Sequence, residues 1–136
     1  MKKTSSYISV LFIVFLIGVI TPAFGQNNYY QLAEQFFNQG EFDQAATYYL
    51  KTYKKSNSIG HFDKYVLALT SGKDFKTAEK ALKKEIKKRP TRFALRVTLG
   101  DIYWQGGNKS AAHKTWDEII TLLPANQQEI VPVAYL

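Results

Sequence analysis

The residues that could carry acid–base or metal chemistry are few in this chain of 136 residues. Its two histidines, His61 and His113, stand in no metal-ligand spacing. The adjacent carboxylates Asp117 and Glu118 point to different sides of a helix, so they do not form an acid–base pair. The chain has no cysteine, which excludes disulfides, thiolate metal sites and cysteine nucleophiles. We therefore expect no catalytic activity, no cofactor and no metal site.

Positive charge is the most concentrated polar feature of the sequence. Ten of its 18 basic residues lie between Lys73 and Arg96. Six lysines share the polar side of one amphipathic segment, 74–89: Lys76, Lys80, Lys83, Lys84, Lys87 and Lys88. Such a basic surface is typical either of a solvated outer face or of contact with anionic polymer or lipid head groups. We expect no nucleic-acid binding, because no aromatic side chain interleaves with these lysines as a stacking platform requires.

The elements that carry these residues repeat along the chain. Three units align on Ala45, Ala78 and Ala112, which recur at a period of about 34 residues. Large apolar residues follow each alanine at steps of four, namely Tyr49 and Tyr53, Leu82 and Ile86, and Trp116 and Ile120. Steps of four place all three positions on one helical face. The alanines predict close helix crossings, where a larger side chain would overpack.

A second amphipathic helix precedes each of these segments. Its apolar stripe is Tyr29, Leu32, Ala33 and Phe36 in the first unit, Phe62, Tyr65, Val66 and Leu69 in the second, and Leu99, Gly100 and Tyr103 in the third. Turns are predicted at Gly40, Gly72 and Gly106–Gly107, and N-caps at Ser58 and Thr91. Pro90 and Pro124 are expected to end the second helices of units two and three.

Six helices in antiparallel pairs at this period resemble the tetratricopeptide repeat family. The resemblance rests on "YYQLAEQFF…GEFDQAATYYLKTY", "FDKYVLAL…KDFKTAEKALKKEI…P" and "LGDIY…GGNKSAAHKTWDEII…P", and covers Asn27 to Pro124. It implies an all-α, right-handed superhelical stack of three repeats (26–58, 59–91 and 92–124) and the start of a fourth. In unit three, Arg96 and Lys109 replace aromatics of the earlier units, so we expect looser packing there.

The resemblance also implies a concave groove lined by the first helix of each unit. Its candidate partner-binding residues are Tyr30, Glu34, Phe37, Asn38, Asp63, Thr70, Asp101, Trp104 and Gln105. Carboxylates and aromatics in this arrangement would suit an extended peptide with cationic and apolar side chains. The alternative is that Phe37 and Trp104 simply pack beside the core.

Both ends of the chain carry further predictions. Residues 1–25 combine a basic start, a 14-residue apolar run and small residues before Gln26, a pattern typical of a cleavable, bacterial-type secretory signal peptide. The alternative, a membrane anchor, is disfavoured because 14 residues reach only about 21 Å, short of a hydrocarbon core of roughly 30 Å. Residues 125–136 end in apolar side chains. We interpret them as a truncated fourth repeat, with a short docking helix or a partner-binding end as alternatives.

These features together predict an exported, periplasmic or secreted, non-enzymatic scaffold that binds a protein or peptide partner in its groove. Two alternatives remain open. The chain could be the recruiting domain of a longer envelope enzyme, or a basic adaptor that makes weak contact with an anionic polymer or membrane. Neither the identity of the partner nor the oligomeric state follows from the sequence.

Overall fold

The computed structural model describes residues 28–123, and this part of the chain forms six α-helices without a strand. The helices are α1 (Tyr29–Asn38), α2 (Phe42–Ser56), α3 (Ile59–Ser71), α4 (Phe75–Lys88), α5 (Phe93–Gln105) and α6 (Lys109–Leu122). Each packs against the next along the chain, which confirms the all-α class. None of the helices between residues 28 and 123 is long and apolar enough to cross a membrane. The predicted signal peptide and the tail 125–136 lie outside the described residues.

The alanines that the sequence places at helix crossings are buried. Ala45, Ala78 and Ala112 are each 0% exposed, and the large residues that follow the first two alanines, Tyr49 and Leu82, are buried. The third unit differs, because Trp116 is only half-buried and the buried isoleucine of α6 is Ile119, whereas Ile120 is half-buried. A Cβ added at Gly100 would lie 2.0 Å from Trp116 Nε1, so the indole occupies the space that glycine leaves open. Trp116 is therefore packed on α5 at the edge of the core.

Three turns of one geometry separate the helices of each pair. Gly40, Lys73 and Gly107 have φ values of 79°, 61° and 85°, and each donates its N–H to the carbonyl three residues earlier, at 3.0, 3.0 and 3.1 Å. The predicted turn residue Gly72 instead has an ordinary φ of −79°. Glycine fits there for a steric reason, since an added Cβ would lie 3.2 Å from the Cβ of Phe42. The left-handed residue of the second turn is thus a lysine.

Three of the helices are capped by side chains that the sequence interpretation did not single out. Asn28, Asp74 and Asn108 each accept a hydrogen bond from the backbone N–H three residues later, at 3.3, 3.1 and 3.1 Å. Ser58 stands at the N-cap position of α3 as predicted, but its side chain makes no capping bond. The prediction for Thr91 is wrong. A turn closed by the Arg92 N–H to the carbonyl of Arg89 delays the start of α5 by one residue.

The end of α4 agrees with the prediction that Pro90 ends this helix. This helix ends at Lys88, two residues before Pro90. The corresponding signal in the third unit, Pro124, lies outside the described residues.

Candidate partner-binding surface

The first helices of the first two units contact each other through side chains. Glu34 Oε1 on α1 lies 2.9 Å from Lys64 Nζ on α3, and the rings of Tyr30 and His61 are 5.4 Å apart. The positive charge of Arg92, the residue before α5, favours the ionised form of the Asp63 carboxyl on α3. The ion pair and the ring contact place α1 beside α3. We call the predicted groove residues of α1, α3 and α5, together with Leu67, the first-helix face.

The α1 part of the first-helix face is occupied by contacts within the protein. The hydroxyl of Tyr49 donates a 2.5 Å hydrogen bond to Glu34, and this bond, followed by that from Lys64, lowers the pKa of the Glu34 carboxyl. Burial and the same bond raise the pKa of Tyr49. The half-buried ring of Phe37 meets the rings of Phe42 and Tyr49 edge-on, at 5.3 and 6.4 Å. Glu34 and Phe37 therefore serve the packing of this region.

The part of this face on α3 and α5 is open to solvent. Leu67 is 46% exposed and Trp104 is 43% exposed, so both helices present a large apolar side chain to water. Asp63 lies four residues before Leu67, and Asp101 lies three residues before Trp104, so each apolar side chain has a carboxylate neighbour on its own helix face. Both aspartates are exposed, but partial desolvation of their carboxyl groups raises the pKa of each, and the charge of Arg92 offsets part of this effect at Asp63. Within residues 28–123, neither aspartate forms an ion pair.

Three other candidates lie towards the C-terminal ends of their helices. Asn38 and Gln105 are exposed and are the last residues of α1 and α5. The hydroxyl of Thr70 donates to the carbonyl of Leu67 at 2.9 Å, so it is used within α3. These side chains border the open part of the face without adding charge to it.

Trp104 is held by neighbours that the sequence interpretation missed. Its ring lies 6.0 Å from that of Trp116 and 5.7 Å from that of His113, and Lys109 Nζ lies 4.8 Å from its centre. These residues come from α6, so no spacing within α5 could have indicated them. Contacts on several sides restrict the indole while leaving much of it exposed, and this combination is favourable for a binding anchor.

The predicted basic surface is present, and all six of its lysines are exposed. Two of them have partners: Lys83 pairs with Glu79 at 2.6 Å, and Lys88 pairs with Glu85 at 3.3 Å. No carboxylate of the described chain lies within ion-pair distance of the other four, Lys76, Lys80, Lys84 and Lys87. The polar side of α4 is therefore a mixture of compensated and uncompensated cations.

The histidines take part in side-chain packing. His61 Nδ1 lies 2.6 Å from Ser56 Oγ, and His113 packs edge-on between the two tryptophans. From residue 28 to residue 123, no three His, Asp or Glu side chains are grouped so that they could hold a metal ion. Neither a protein-family model nor a curated protein matches the chain.

Proposed function

We propose that this protein is an exported, non-enzymatic scaffold of the bacterial cell envelope that binds a partner segment on its first-helix face. The partner segment would be extended and would carry both cationic and large apolar side chains. Export is inferred from the pattern of residues 1–25, and the scaffold role from the surface chemistry of α3 and α5.

A right-handed stack of three tetratricopeptide-like helix pairs is the architecture that we propose for this scaffold. Two observations support it. The second helices begin at Phe42, Phe75 and Lys109, so they recur at the period of the alanines, and each follows the same turn geometry. The ion pair between Glu34 of α1 and Lys64 of α3 is the kind of contact expected when equivalent helices lie side by side.

The observation that carries the proposed function is the exposure of Leu67 and Trp104 near Asp63 and Asp101, which form no ion pair with any residue from 28 to 123. Apolar groups of this size in water favour burial against a partner, at about 25 cal/mol for each Å² removed from water. A lysine or arginine of the partner segment would compensate Asp63 or Asp101 as water is displaced. Because Trp104 is already held by α6, little side-chain entropy is lost on binding.

Selection from a random peptide library on the purified chain tests this proposal. We expect the recovered peptides to be enriched in lysine or arginine next to aromatic or large aliphatic residues. The double variant Leu67→Ala/Trp104→Ala should weaken the binding of a recovered peptide by about 100-fold or more, the size expected for removal of an interface anchor. Leu122→Ala is the matched control, because Leu122 is also a large exposed apolar residue but lies on α6.

Two results would contradict the proposal. In the first, Leu122→Ala lowers the affinity for the peptide as much as the double variant does, which would indicate nonspecific binding to exposed apolar side chains. The other is a recovered set of peptides that are acidic, because such peptides would be repelled by Asp63 and Asp101. Circular dichroism of each variant checks that helix content is unchanged.

A further inference from the structure

A groove of about 580 Å³ lies between α4, α5 and α6, on a different part of the molecule from the first-helix face. Its floor includes Ile86 and Leu99. Four cationic side chains line it, Lys83 and Lys87 from α4, Arg96 from α5 and Lys114 from α6, together with one carboxylate, Glu118. Three helices thus bring positive charge to one concavity.

Half of this positive charge is uncompensated. Lys83 is paired with Glu79 at 2.6 Å, outside the set of groove residues. Across residues 28–123, no carboxylate lies within ion-pair distance of a side-chain nitrogen of Lys87, Arg96 or Lys114. Three cations therefore face a single carboxylate, Glu118, which leaves an excess of two positive charges. A dianion would balance this excess, whereas one carboxylate group would balance half of it.

The preceding helix pair shows why the groove is open and basic at this place. Phe62 occupies the position on α3 that corresponds to Arg96 on α5, is 2% exposed, and packs its ring 5.2 Å from that of Tyr53. In the next pair, Arg96 replaces this phenylalanine, and Ile86 takes the place of Tyr53. No aromatic pair therefore packs at this place in the second of the two helix pairs. Arg96 Nη1 donates a 2.6 Å hydrogen bond to the carbonyl of Pro90, which orients the guanidinium.

We propose that this groove binds a phosphate monoester through Arg96, Lys87 and Lys114. A guanidinium can donate two parallel hydrogen bonds to phosphate oxygens, and two lysines supply mobile positive charge on either side. The apolar floor would receive the carbon skeleton that bears the phosphate. The ester can belong to a soluble metabolite or to the head group of a lipid, and the experiment below separates these two sources. This site does not depend on the proposed partner-binding function.

Glycerol phosphate, which is mainly a dianion above about pH 6, is the soluble probe. Titration of the purified chain by NMR should shift the backbone amide signals around Lys87, Arg96 and Lys114. Acetate at the same ionic strength should shift them much less, because it carries one charge. Arg96→Phe restores the aromatic of the preceding helix pair, and we expect it to fold and to weaken binding by about 10-fold or more, the loss typical of one charge-assisted contact.

Lys84→Gln is the matched charge control, because Lys84 lies on α4 and is exposed but is not among the groove residues. It should leave the affinity for glycerol phosphate unchanged within about twofold, whereas Lys87→Gln and Lys114→Gln should lower it about 10-fold each. If Arg96→Phe proves unstable in thermal unfolding, Arg96→Gln provides the same test without the larger side chain.

Sedimentation with phosphatidylcholine vesicles, with and without phosphatidic acid, identifies the source of the ester. Binding to the phosphatidic acid vesicles that is lost in Arg96→Phe but kept in Lys84→Gln supports a lipid head group in the groove. Binding of glycerol phosphate without vesicle binding supports a soluble ligand. The proposal is overturned if neither probe binds, or if Lys84→Gln weakens binding as much as the groove variants do.

Discussion

The hydroxyl of Tyr53 on α2 donates a 2.6 Å hydrogen bond to Glu85 Oε2 on α4, in the next helix pair along the chain. Glu85 is 1% exposed, and it also pairs with Lys88 of its own helix and with Arg89, the residue that follows this helix. Arg89 in turn donates to the carbonyl of Asn57 at 3.0 Å. A buried carboxylate thus joins the second helices of two successive pairs, and every group around it has a partner.

Removal of the Tyr53 hydroxyl should destabilise the protein. Tyr53→Phe leaves the buried carboxylate of Glu85 with one hydrogen-bond donor fewer. We expect the free energy of unfolding to fall by about 1.5–3 kcal/mol, the range for hydrogen bonds to charged groups. Tyr48→Phe is the control, because the described residues offer the half-buried Tyr48 hydroxyl no hydrogen bond. Urea denaturation measures both variants. Equal stability of Tyr53→Phe and the native chain would show that this contact is not maintained in solution.

The same cluster predicts a dependence of stability on pH. Burial alone would raise the pKa of Glu85, but the bonds from Tyr53 and Lys88 and the charges of Lys88 and Arg89 outweigh it, so the pKa is lowered. A lowered folded-state pKa stabilises the protein above the pKa of the unfolded chain, about 4.3, and this contribution is lost as the pH falls through the folded-state value.

The variant Glu85→Gln isolates this contribution. The difference in melting temperature between the native chain and Glu85→Gln should be largest near pH 7 and should shrink below about pH 4. A difference that stays constant from pH 7 to pH 3 would mean that the carboxylate charge contributes nothing. Differential scanning calorimetry across this range gives the answer.

Lys73 occupies a left-handed conformation that its counterparts Gly40 and Gly107 adopt without penalty. The variant Lys73→Gly removes a backbone penalty of about 1–2 kcal/mol but gives flexibility to the unfolded chain, so we expect a net gain of up to about 1 kcal/mol. Gly40→Ala and Gly107→Ala should each lower the free energy of unfolding by about 1–2 kcal/mol. The space around both glycines is open, so these losses would come from the backbone. Chemical denaturation of the three variants tests the shared turn geometry.

Gly100 provides the space for the indole of Trp116. In Gly100→Ala the new methyl group would lie 2.0 Å from Trp116 Nε1, so the ring must move. We expect the free energy of unfolding to fall by about 1–3 kcal/mol. Gly60→Ala is the control within another first helix, where the nearest atom is 3.8 Å away, and it should gain up to about 1 kcal/mol from helix propensity. The tryptophan fluorescence should change in the first variant and stay constant in the second.

We expect the Asp101 carboxylate to lower the stability of the folded protein and to contribute to partner binding. Although the residue is exposed, partial desolvation raises the pKa of its carboxyl, so the ionised form is disfavoured in the folded state. Asp101→Asn should therefore raise the melting temperature at pH 7, and the gain should vanish below the unfolded-state pKa of about 3.9, where both states are protonated. The same variant should weaken the binding of a cationic peptide selected on the native chain. Asp117→Asn, an exposed change on α6, controls for the loss of one negative charge.

The sequence by itself determined the all-α class, the six helices and the burial of Ala45, Ala78 and Ala112. These features are local or periodic. Apolar residues at steps of three and four define a helix face, and a small residue at a fixed period marks the place where helices approach. The exposure of the lysines on α4 could be predicted for the same reason, because a helix has one polar side.

Only the tertiary structure decided which groups meet across helices. The sequence predicts Glu34 and Phe37 as groove residues but does not indicate their neighbours: Tyr49 and Lys64 bond to the Glu34 carboxylate, and Phe42 packs against the Phe37 ring. In the same way, the indole of Trp116 packs on Gly100, and one groove collects cations from α4, α5 and α6. The physical reason is that such contacts depend on the crossing angles and distances of whole helices, which no spacing along a single helix contains.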